Sequence, residues 1–364
     1  MSTVHIYESL NELEAIINKN DSVFVIIDNN LKPYCKYFDN FNTIWIKTSE
    51  NDKTLDTVSD ITGQLLEMGA HRGSLIVGVG GGITTDIAGF VASTYKRGIK
   101  FGFVPTTLLA QVDASIGGKN GVNYNSYKNI IGCINQPEWI FICPELLSTL
   151  SPREFRAGIA EVLKTFILFD ANYYRVAADY FVELQHIWEQ EGSYAPSGSF
   201  YKLELLTEII GKCAQYKCGV VERDEFERGE RRLLNLGHTF AHAIEKICGE
   251  GIHNSTPSGS IMHGEAVSIG MVLAAKLSGR MGMASEEFIK MVEEDLRSVG
   301  LPVEVPVNPF TGVQIEIGQL IEALKKDKKA SGEYINFIMP QELGCVKDLK
   351  ILIKDLEKLS SDLY

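Results

Sequence analysis

The sequence lacks any apolar stretch long enough to cross a membrane, because none reaches the ~18–20 residues that a spanning helix requires. It also lacks the basic and then apolar start of a secretory signal, since its first residues, MSTVHIYESLNELE, are acidic and polar. We therefore expect a cytoplasmic protein with no membrane partner.

Positive charge is also scarce. The chain has 35 Lys and Arg against 47 Asp and Glu, which gives a net charge of −12. This balance argues against a nucleic acid or an anionic membrane surface as the partner. It does not exclude a small anionic substrate, because a local cluster of Lys and Arg can hold phosphate or carboxylate inside an acidic protein.

The cysteines form no recognisable framework. There are 7, an odd number, and no two of them make a CxxC pair. In a cytosolic chain such cysteines are expected to be free thiols, many of them buried as small hydrophobic residues. We assign them neither a disulfide framework nor a catalytic role.

The first part of the chain alternates strand-like and helix-like patterns, and the whole sequence shows no internal repeat, low-complexity tract or heptad array. Short β-branched runs predict strands at 22–28, 43–47, 74–80, 100–107 and 138–143, with helices at 54–70 and 84–96. Alternating strands and helices favour a parallel sheet covered on both faces. We expect an α/β domain with a Rossmann-like sheet over residues 1–150.

From residue 151 helical patterns dominate. A helix is predicted to begin at SPREF, and further helices at 202–220, 237–248, 264–281 and 285–298, with one short strand at 333–340. Two stretches rich in Gly, Ser and Pro, 191–199 and 251–260, are predicted loops. The length of 364 residues suits two domains. We expect a mostly α-helical domain over 151–364 and an active site in the cleft between the domains.

A glycine-rich turn follows one of the predicted strands. In VGVGGGITTDIAG, Gly80, Gly81 and Gly82 stand between a strand and a helix. Glycines let a phosphate approach the backbone, and a helix N-terminus offers free N–H groups. Ile83 occupies the third glycine position of GxGxxG, so the dinucleotide fingerprint is not met, and a tight turn without a ligand is the alternative. Asp28, at the end of the first predicted strand, stands where a carboxylate could receive ribose hydroxyls.

Histidines and a carboxylate supply a candidate metal site. His238 and His242 in NLGHTFAHAIE lie one helical turn apart, and His263 stands in MHGEA. Catalytic zinc favours three His or Glu ligands. Glu161 with any two of these histidines meets that count, and spacing alone would assign both His238 and His242. The alternatives are surface histidines and a simple ion pair between Glu161 and Lys164.

Polar residues gather in the segment 104–132, VPTTLLAQVDASIGGKNGVNYNSYKNIIG, which we expect to be an ordered but irregular functional loop. A solvated basic loop is the alternative. In the charged run before NLGHTFAHAIE, most residues are expected to be solvated. Arg231 and Asn235 are exceptions, because they lie seven and three residues before His238 on the approach to its helix.

In combination these motifs resemble those of the 3-dehydroquinate synthases: GVGGG…D, RG…VPTTLLAQVDASIGGK…KN.IG, AEVLK, NLGHTFAHAIE, MHGEAV and a late DKK, in this order. The resemblance covers nearly the whole chain and is weakest before residue 20, in the two PSG loops and at the C-terminus. It implies conversion of 3-deoxy-D-arabino-heptulosonate 7-phosphate to 3-dehydroquinate and phosphate, a carbon–oxygen lyase reaction of the shikimate pathway to aromatic amino acids and chorismate. It further implies regenerated NAD, one zinc or cobalt ion and a homodimer.

The resemblance also assigns roles to residues. It implies Glu161, His238 and His263 as metal ligands, which leaves His242 to contact substrate and handle protons. The other implied catalytic residues are Asp113, Lys119, Lys164, Arg231 and Asn235. The implied substrate-binding residues are Arg97, Asn129, Lys217 and Lys328, with Lys329 as the alternative to Lys328. The implied NAD contacts, mostly in the first domain's turns, are Asp28, Glu50, Lys53, Gly80, Gly81, Gly82, Asp86, Thr106, Thr107, Lys128 and Thr149.

Three positions depart from the resemblance. Thr85 and Ala241 replace common glycines, and Asn120 replaces a common threonine.

Other functions also stay open: a valiolone- or inosose-type sugar-phosphate cyclase, a metal-dependent polyol dehydrogenase, or a non-catalytic NAD- and metal-binding module. The substrates of the valiolone- and inosose-type cyclases lack the carboxylate, so Lys119, Arg231, Asn235 and His242 favour a 3-dehydroquinate synthase. A polyol dehydrogenase would not need so many cations and typically has Asp where Glu161 stands.

Overall fold

The structure, a computed structural model, describes residues 2–17, 22–125, 127–191, 201–249, 261–327 and 333–359. The chain divides into two compact units. The first comprises the described residues of Met1–Ser151 and Ala195–Phe226, and the second those of Pro152–Tyr194 and Glu227–Tyr364. Within the described ranges, no helix is both long and apolar enough to cross a membrane.

A six-stranded parallel sheet forms the centre of the first unit. Its strands are β1 (Thr3–Ile6), β2 (Val23–Asp28), β3 (Asn42–Ile46), β4 (Leu75–Gly80), β5 (Lys100–Pro105) and β8 (Trp139–Ile142), in the order β1-β8-β5-β4-β2-β3. All six residues of β4 are buried, as expected for a strand covered on both faces. The five predicted strands are confirmed. β1 is not indicated by the sequence, because it is only four residues long and none of its residues is fully buried.

The strand order reverses between β2 and β4, which lie side by side. The chain continues from β2 to the sheet edge at β3, and then returns to β4, β5 and β8 on the other side. Ile27 of β2 pairs with Val79 of β4, so Asp28 and Gly80 come next to each other at the carboxyl ends of the two strands. In open parallel sheets, ligands bind where the order reverses in this way.

The helices of the first unit are α1 (Leu13–Ile16), α2 (Leu55–Glu67), α3 (Gly82–Thr94) and α6 (Leu203–Arg223). The contacts place α6 in the first unit, whereas the predicted boundary placed it in the second domain. Its apolar face, formed by Leu206, Ile209, Ile210 and Cys213, is buried, and α6 packs against β1 and the short helical segment Ala110–Ala114. The hydrophobic periodicity of the sequence predicts which face of α6 is buried, but not which elements pack against that face.

The region predicted as an irregular polar loop contains regular structure, so that prediction is wrong in part. β6 (Lys119–Tyr124) and β7 (Tyr127–Ile134) form an antiparallel two-stranded ribbon, and β6 packs against α3. Gly121 and Gly132 pair across the ribbon, where their backbones approach so closely that a Cβ on Gly132 would lie 2.5 Å from the Asn120 carbonyl oxygen. Because this ribbon contains glycines and exposed polar residues, its strands lack the alternation of apolar and polar residues by which a strand is predicted.

The second unit is mostly helical. Its helices are α4 (Pro152–Phe169), α5 (Ala171–Glu191), α7 (His238–Gly249), α8 (His263–Arg280), α9 (Glu286–Ser298), α10 (Ile317–Asp327) and α11 (Ile353–Leu359). A hairpin of β9 (Tyr334–Glu342) and β10 (Cys345–Leu352) completes it. The predicted helices and strand of this region are confirmed, whereas α5, α10, α11 and β10 are not indicated by the sequence.

Helix α8 lies at the centre of this unit and contacts α4, α7, α9 and β9. It is buried on nearly all sides, as are the residues of α4 from Ala157 to Leu168. Helix α7 is also tied to β9, because Thr239 Oγ1 donates to the Asn336 carbonyl oxygen at 3.0 Å. The predicted loop 251–260, most of the loop 191–199, Lys328 and Lys329 lie outside the described residues.

Candidate functional site

Three side chains from three helices meet in the second unit. Glu161 comes from the middle of α4, whereas His238 and His263 are the first residues of α7 and α8. The Nε2 atoms of His238 and His263 lie 3.6 and 3.7 Å from Glu161 Oε1. Their ligand atoms all lie within 4.8 Å of one another. One carboxylate and two imidazoles at this spacing form a donor set that suits a single zinc-like ion.

Glu161 gives a direct test of whether this donor set fits a cation. Its side chain is fully buried, and Oε1, the oxygen nearest the two histidines, accepts no hydrogen bond from the described residues. It forms an ion pair with Lys164, one turn further along α4 and itself only 1% exposed. A buried carboxylate oxygen without a hydrogen bond is costly. A divalent ion would satisfy Oε1, so the residues present fit a metal.

The orientation of His238 also favours metal binding. His238 Nδ1 lies 3.2 Å from the Leu236 carbonyl oxygen, so Nδ1–H donates there and Nε2 keeps its lone pair on the side of Glu161. Burial, together with the positive charge of Lys164, holds the pKa of His238 well below its usual value. A neutral imidazole held in one tautomer is the form that ligates a metal.

Glu245 holds the other histidine and was missed by sequence reasoning. Its Oε1 lies 3.5 Å from His263 Nδ1. Burial lowers the pKa of His263, but the hydrogen bond and charge of Glu245 outweigh it and the pKa is raised. The signal was available in the sequence, because Glu245 follows His238 by seven residues and so shares its helical face.

The start of α8 is fixed by two further contacts. Glu265 Oε2 accepts a hydrogen bond from the Met262 N–H at 2.8 Å, which caps the helix next to His263. The same carboxylate binds the Arg153 guanidinium of α4 through two contacts of 2.6 Å. These bonds position the first turn of α8, and with it His263, against α4.

His242 stands apart from the cluster. It is exposed on α7, and its ring centroid lies 5.7 Å from that of His238. The donor set of Glu161, His238 and His263 does not include it. The structure thus separates the two histidines that spacing alone would assign together, and it leaves His242 accessible.

The segment just before α7 carries the two other predicted residues of this unit. Arg231 is 2% exposed, and Asn235 Nδ2 donates to Glu227 Oε1 at 2.6 Å. Glu227 was also missed by sequence reasoning, because it lies within the charged run DEFERGERR and carries no signal of its own. Its φ of 57° places it in the left-handed region that few non-glycine residues adopt.

In the first unit, the glycine turn joins β4 to α3 without a side-chain cap at Gly81. A Cβ on Gly80 would lie 2.3 Å from Thr84 Oγ1, and one on Gly81 would lie 2.9 Å from Thr107 Cγ2. A side chain at either position would therefore require the facing threonine to move. The Thr106 N–H donates to the Gly80 carbonyl oxygen at 2.9 Å, which fixes the turn. Uncapped helix N–H groups behind a tight glycine turn fit a dinucleotide pyrophosphate.

The neighbouring carboxylate, Asp28, lies beside this turn at the end of β2. Asp28 Oδ1 accepts the Asn30 N–H at 2.9 Å. Its position at the reversal of strand order is the one that the sequence predicted for a ribose contact.

Lys53 forms the centre of a second polar cluster. Its buried ammonium donates to the side-chain oxygens of Asp86 and Asn129. Burial raises the pKa of Asp86 to about 6 although the charge of Lys53 opposes the rise, so the carboxylate is mostly ionised at neutral pH. The cluster brings together two residues implied for NAD and one implied for substrate.

The other predicted residues of the first unit lie on turns and strands. Lys217 of α6 donates to the Asp113 carboxylate and, at 2.7 Å, to the Asp113 carbonyl oxygen. Arg97, with a φ of 72°, and Lys119 and Lys128 of the ribbon are exposed. Thr149 follows β8, and its hydroxyl donates to the Leu146 carbonyl oxygen at 2.9 Å.

Comparison with known proteins identifies the family. The family described as 3-dehydroquinate synthase N-terminal matches residues 43–157, and the 3-dehydroquinate synthase C-terminal family matches residues 158–330. A 3-dehydroquinate synthase of Prochlorococcus marinus (strain MIT 9211) is 41% identical over 312 residues, which cover 84% of this chain and 76% of that protein.

Two solved structures share the fold. A 2-epi-5-epi-valiolone synthase from Streptomyces hygroscopicus, with NAD⁺ and Zn²⁺ bound, has a TM-score of 0.82 at 25% identity and covers 100% of this chain and 96% of its own. A 2-deoxy-scyllo-inosose synthase, complexed with carbaglucose-6-phosphate, NAD⁺ and Co²⁺, has a TM-score of 0.79 at 24% identity, with 98% and 95% covered. The two family matches and the curated relative show that the chain belongs to the 3-dehydroquinate synthase family.

Proposed function

We propose that this protein is a 3-dehydroquinate synthase that converts 3-deoxy-D-arabino-heptulosonate 7-phosphate to 3-dehydroquinate and phosphate. The observation that carries the proposal is the buried donor set of Glu161, His238 and His263 in a chain of this family. The reaction implied by the resemblance comprises alcohol oxidation, loss of phosphate, ketone reduction, ring opening and aldol closure. Its overall class is that of a carbon–oxygen lyase.

The proposed cofactors are NAD and one zinc or cobalt ion. The related valiolone and inosose synthases were solved with NAD⁺ and with Zn²⁺ or Co²⁺, and this chain has residues that fit both groups. Glu161, His238 and His263 would hold the metal, and the turn Gly80–Gly82 with Asp28 would hold the dinucleotide. When bound, NAD exchanges a hydride with the substrate and the metal acts as a Lewis acid.

The second unit's own side chains would bind and orient the substrate. Lys164 and Arg231 are buried cations, and buried cations attract anionic groups more strongly than solvated ones. Asn235 is held by Glu227 in one orientation, which suits a residue that positions a hydroxyl or carboxylate. His242 is exposed on α7, and an imidazole can take up and release a proton near neutral pH.

The first unit would contribute further cations and the polar clusters around Lys53 and Asp113. The substrate carries a carboxylate and a phosphate, so several Lys and Arg groups are a sensible complement. Arg97, Lys119 and Lys217 supply such charge within a chain of net charge −12. Lys217 is held by Asp113, which fixes the position of its ammonium group.

A turnover assay tests the proposal. We expect purified protein with NAD⁺ and zinc or cobalt to release phosphate from the heptulosonate phosphate and to form 3-dehydroquinate. The control substrate is sedoheptulose 7-phosphate, which lacks the carboxylate. Turnover of the control alone would assign the protein to the valiolone-type cyclases, and oxidation of a simple polyol alone would assign it to the dehydrogenases.

Location and assembly are proposed from the resemblance. We infer that the protein acts on a small anionic sugar phosphate in the cytoplasm as a homodimer, with neither nucleic acid nor membrane as a partner. Sedimentation of the purified protein tests the assembly, because a monomer at assay concentration would contradict it.

A further inference from the structure

Asn123 lies at an irregular position of the β6–β7 ribbon. The register between the two strands shifts between Val122 and Tyr124. On the facing strand, Asn129 has a φ of 53°, in the left-handed region. Bulges of this kind occur next to active sites, where they redirect a side chain, and asparagine tolerates the left-handed conformation better than most residues. The irregularity gives Asn129 an orientation that a regular strand would not allow.

The side chain of Asn123 has two arms of different chemistry. Its Oδ1 accepts the Asn129 N–H at 2.8 Å. Its Nδ2 donates to Glu50, at 2.8 Å to Oε1 and at 3.2 Å to the carbonyl oxygen. The acceptor arm thus holds Asn129, and the donor arm holds Glu50.

The backbone of Asn123 closes a ring of hydrogen bonds. Its N–H donates to the Lys53 carbonyl oxygen at 2.8 Å. The Lys53 ammonium donates to Asn129 Oδ1, and the Asn129 N–H returns to Asn123 Oδ1. Each of the three residues is therefore held by the other two. The segment 50–53 is therefore joined to Asn129 both through Asn123 and through the Lys53 ammonium.

We propose that Asn123 is a positioning residue that couples NAD binding to substrate binding. The inference rests on the proposed function, in which Glu50 and Lys53 contact NAD and Asn129 contacts substrate. Asn123 holds both sets and acts through them. Asn123 affects the affinity of the protein for NAD and for the substrate, whereas other residues carry out the hydride and proton transfers.

Two substitutions distinguish the role of the Asn123 acceptor, Oδ1, from that of its donor, Nδ2. Asn123→Ala removes both, whereas Asn123→Asp keeps the oxygen that accepts from Asn129, loses the donor and faces Glu50 with like charge. The matched control is Asn125→Asp, which adds the same charge two residues further along the ribbon. The measurements are the dissociation constant of NAD⁺ from zinc-loaded protein by calorimetry, the substrate KM, kcat and the unfolding temperature.

The expected results differ between the variants. Losing one or two hydrogen bonds of ordinary strength corresponds to about a tenfold change in binding. We expect Asn123→Ala to raise both the NAD⁺ dissociation constant and the substrate KM about tenfold, with kcat within about threefold of the wild type. Asn123→Asp is expected to weaken NAD⁺ binding to a similar extent and to leave the substrate KM within about threefold. Asn125→Asp should change neither.

A double-mutant cycle tests the coupling itself. Glu50→Ala is expected to raise the substrate KM in the wild-type background, because Asn123 transmits the loss to Asn129. In the Asn123→Ala background it should raise the substrate KM no further. Equal effects in both backgrounds would overturn the proposal, as would equal effects of Asn123→Ala and Asn123→Asp on both ligands.

A failure of the role proposed for Asn123 can be distinguished from a failure of the proposed function. If the wild type turns over no heptulosonate phosphate, the proposed function fails, and the NAD⁺ titrations decide the role of Asn123. Unchanged NAD⁺ binding in both Asn123 variants would then overturn it. If Asn123→Ala lowers the unfolding temperature strongly, Asn123→Asp and the Asn125→Asp control carry the comparison.

Discussion

Each ligand of the candidate metal site is held by a different partner at its remaining polar atoms. The Leu236 carbonyl oxygen fixes His238, Glu245 fixes His263, and Lys164 pairs with Glu161. Such partners set the tautomer and direction of a ligand before the ion arrives. The donor atoms therefore need little rearrangement to bind a metal, and the two histidines of α7 have different surroundings although they lie one turn apart.

Substitution of those two histidines should separate metal binding from proton handling. We expect His238→Ala to lose stoichiometric zinc, because it removes a member of the donor set. We expect His242→Ala to keep its zinc and to lose about 10²–10⁴-fold in kcat, the usual contribution of a general acid or base. Elemental analysis of the dialysed proteins and initial rates measure the two effects. Equal zinc content in both variants would contradict this division.

Glu245 should contribute to metal affinity without touching the ion. We expect Glu245→Ala to weaken zinc binding by about 10–100-fold, the usual cost of losing the partner behind a histidine ligand. Competition with a chromophoric chelator measures this without turnover. The matched control is Glu286→Ala, at the first turn of α9, which should leave zinc affinity unchanged. Unaltered affinity in Glu245→Ala would assign that carboxylate to helix packing alone.

Asn120 shows how a departure from the resemblance is accommodated by a neighbour. Its Nδ2 donates to the carbonyl oxygens of Gly118 and Asn135, both at 2.9 Å. A Cβ on Gly89 of α3 would lie 1.9 Å from Asn120 Oδ1, so the asparagine fits because residue 89 is glycine. The pairing depends on tertiary contact, which a single sequence does not display.

At the scale of elements, two glycines let α8 approach its neighbours closely. A Cβ on Gly264 would lie 1.9 Å from the Ala157 carbonyl oxygen of α4. A Cβ on Gly270 would lie 2.0 Å from the Gly237 carbonyl oxygen, just before α7. These atoms are backbone and cannot turn aside. The short separations bring His263 and His238 to Glu161.

We therefore expect Gly264→Ala to move α8 away from α4. Overpacking of this kind lowers the free energy of unfolding by about 1–3 kcal/mol. Zinc affinity should fall as well, because His263 precedes the substituted residue. Gly318→Ala in α10 is the control: nothing lies within 4 Å of its Cβ, and better helix propensity should raise stability by up to about 1 kcal/mol. Urea unfolding of both variants checks the difference, and equal stability would contradict it.

The elements show where sequence reasoning succeeds and why it stops. β2 and β4 were predictable because strands buried on both faces are almost wholly apolar. The ribbon was not, since its glycines and polar residues follow from contacts with α3 and Lys53. The motif resemblance named Glu161, His238 and His263, but Glu227, Glu245 and Asn123 act through neighbours that only the fold brings close. The hydrophobic pattern of a sequence predicts which face of an element is buried, whereas the hydrogen-bond partner of a side chain depends on the tertiary structure.

Across the whole molecule, buried charge coincides with the predicted site. Among the described residues, the buried Lys, Arg and Glu side chains are Lys53, Glu161, Lys164, Lys217 and Arg231. All five belong to the sets that the resemblance implies for metal binding, NAD binding, substrate binding or catalysis. Charged side chains are seldom buried without a partner or a function. Four cations but only one carboxylate are thus buried among the described residues, although the whole chain carries a net charge of −12.

The two units should respond separately to the two proposed cofactors. A ligand that binds only the folded state at 100 times its dissociation constant stabilises it by about 2.7 kcal/mol, and amide exchange slows where it binds. We expect zinc to slow exchange in α4, α7 and α8, and NAD⁺ to slow it in the β4–α3 turn and the segment 50–53. In His238→Ala the zinc effect should disappear and the NAD⁺ effect should remain, because that histidine lies in the second unit and the glycine turn in the first. Hydrogen exchange measured by mass spectrometry checks both responses. Protection by zinc confined to the first unit would contradict the assignment of Glu161, His238 and His263 as the metal ligands.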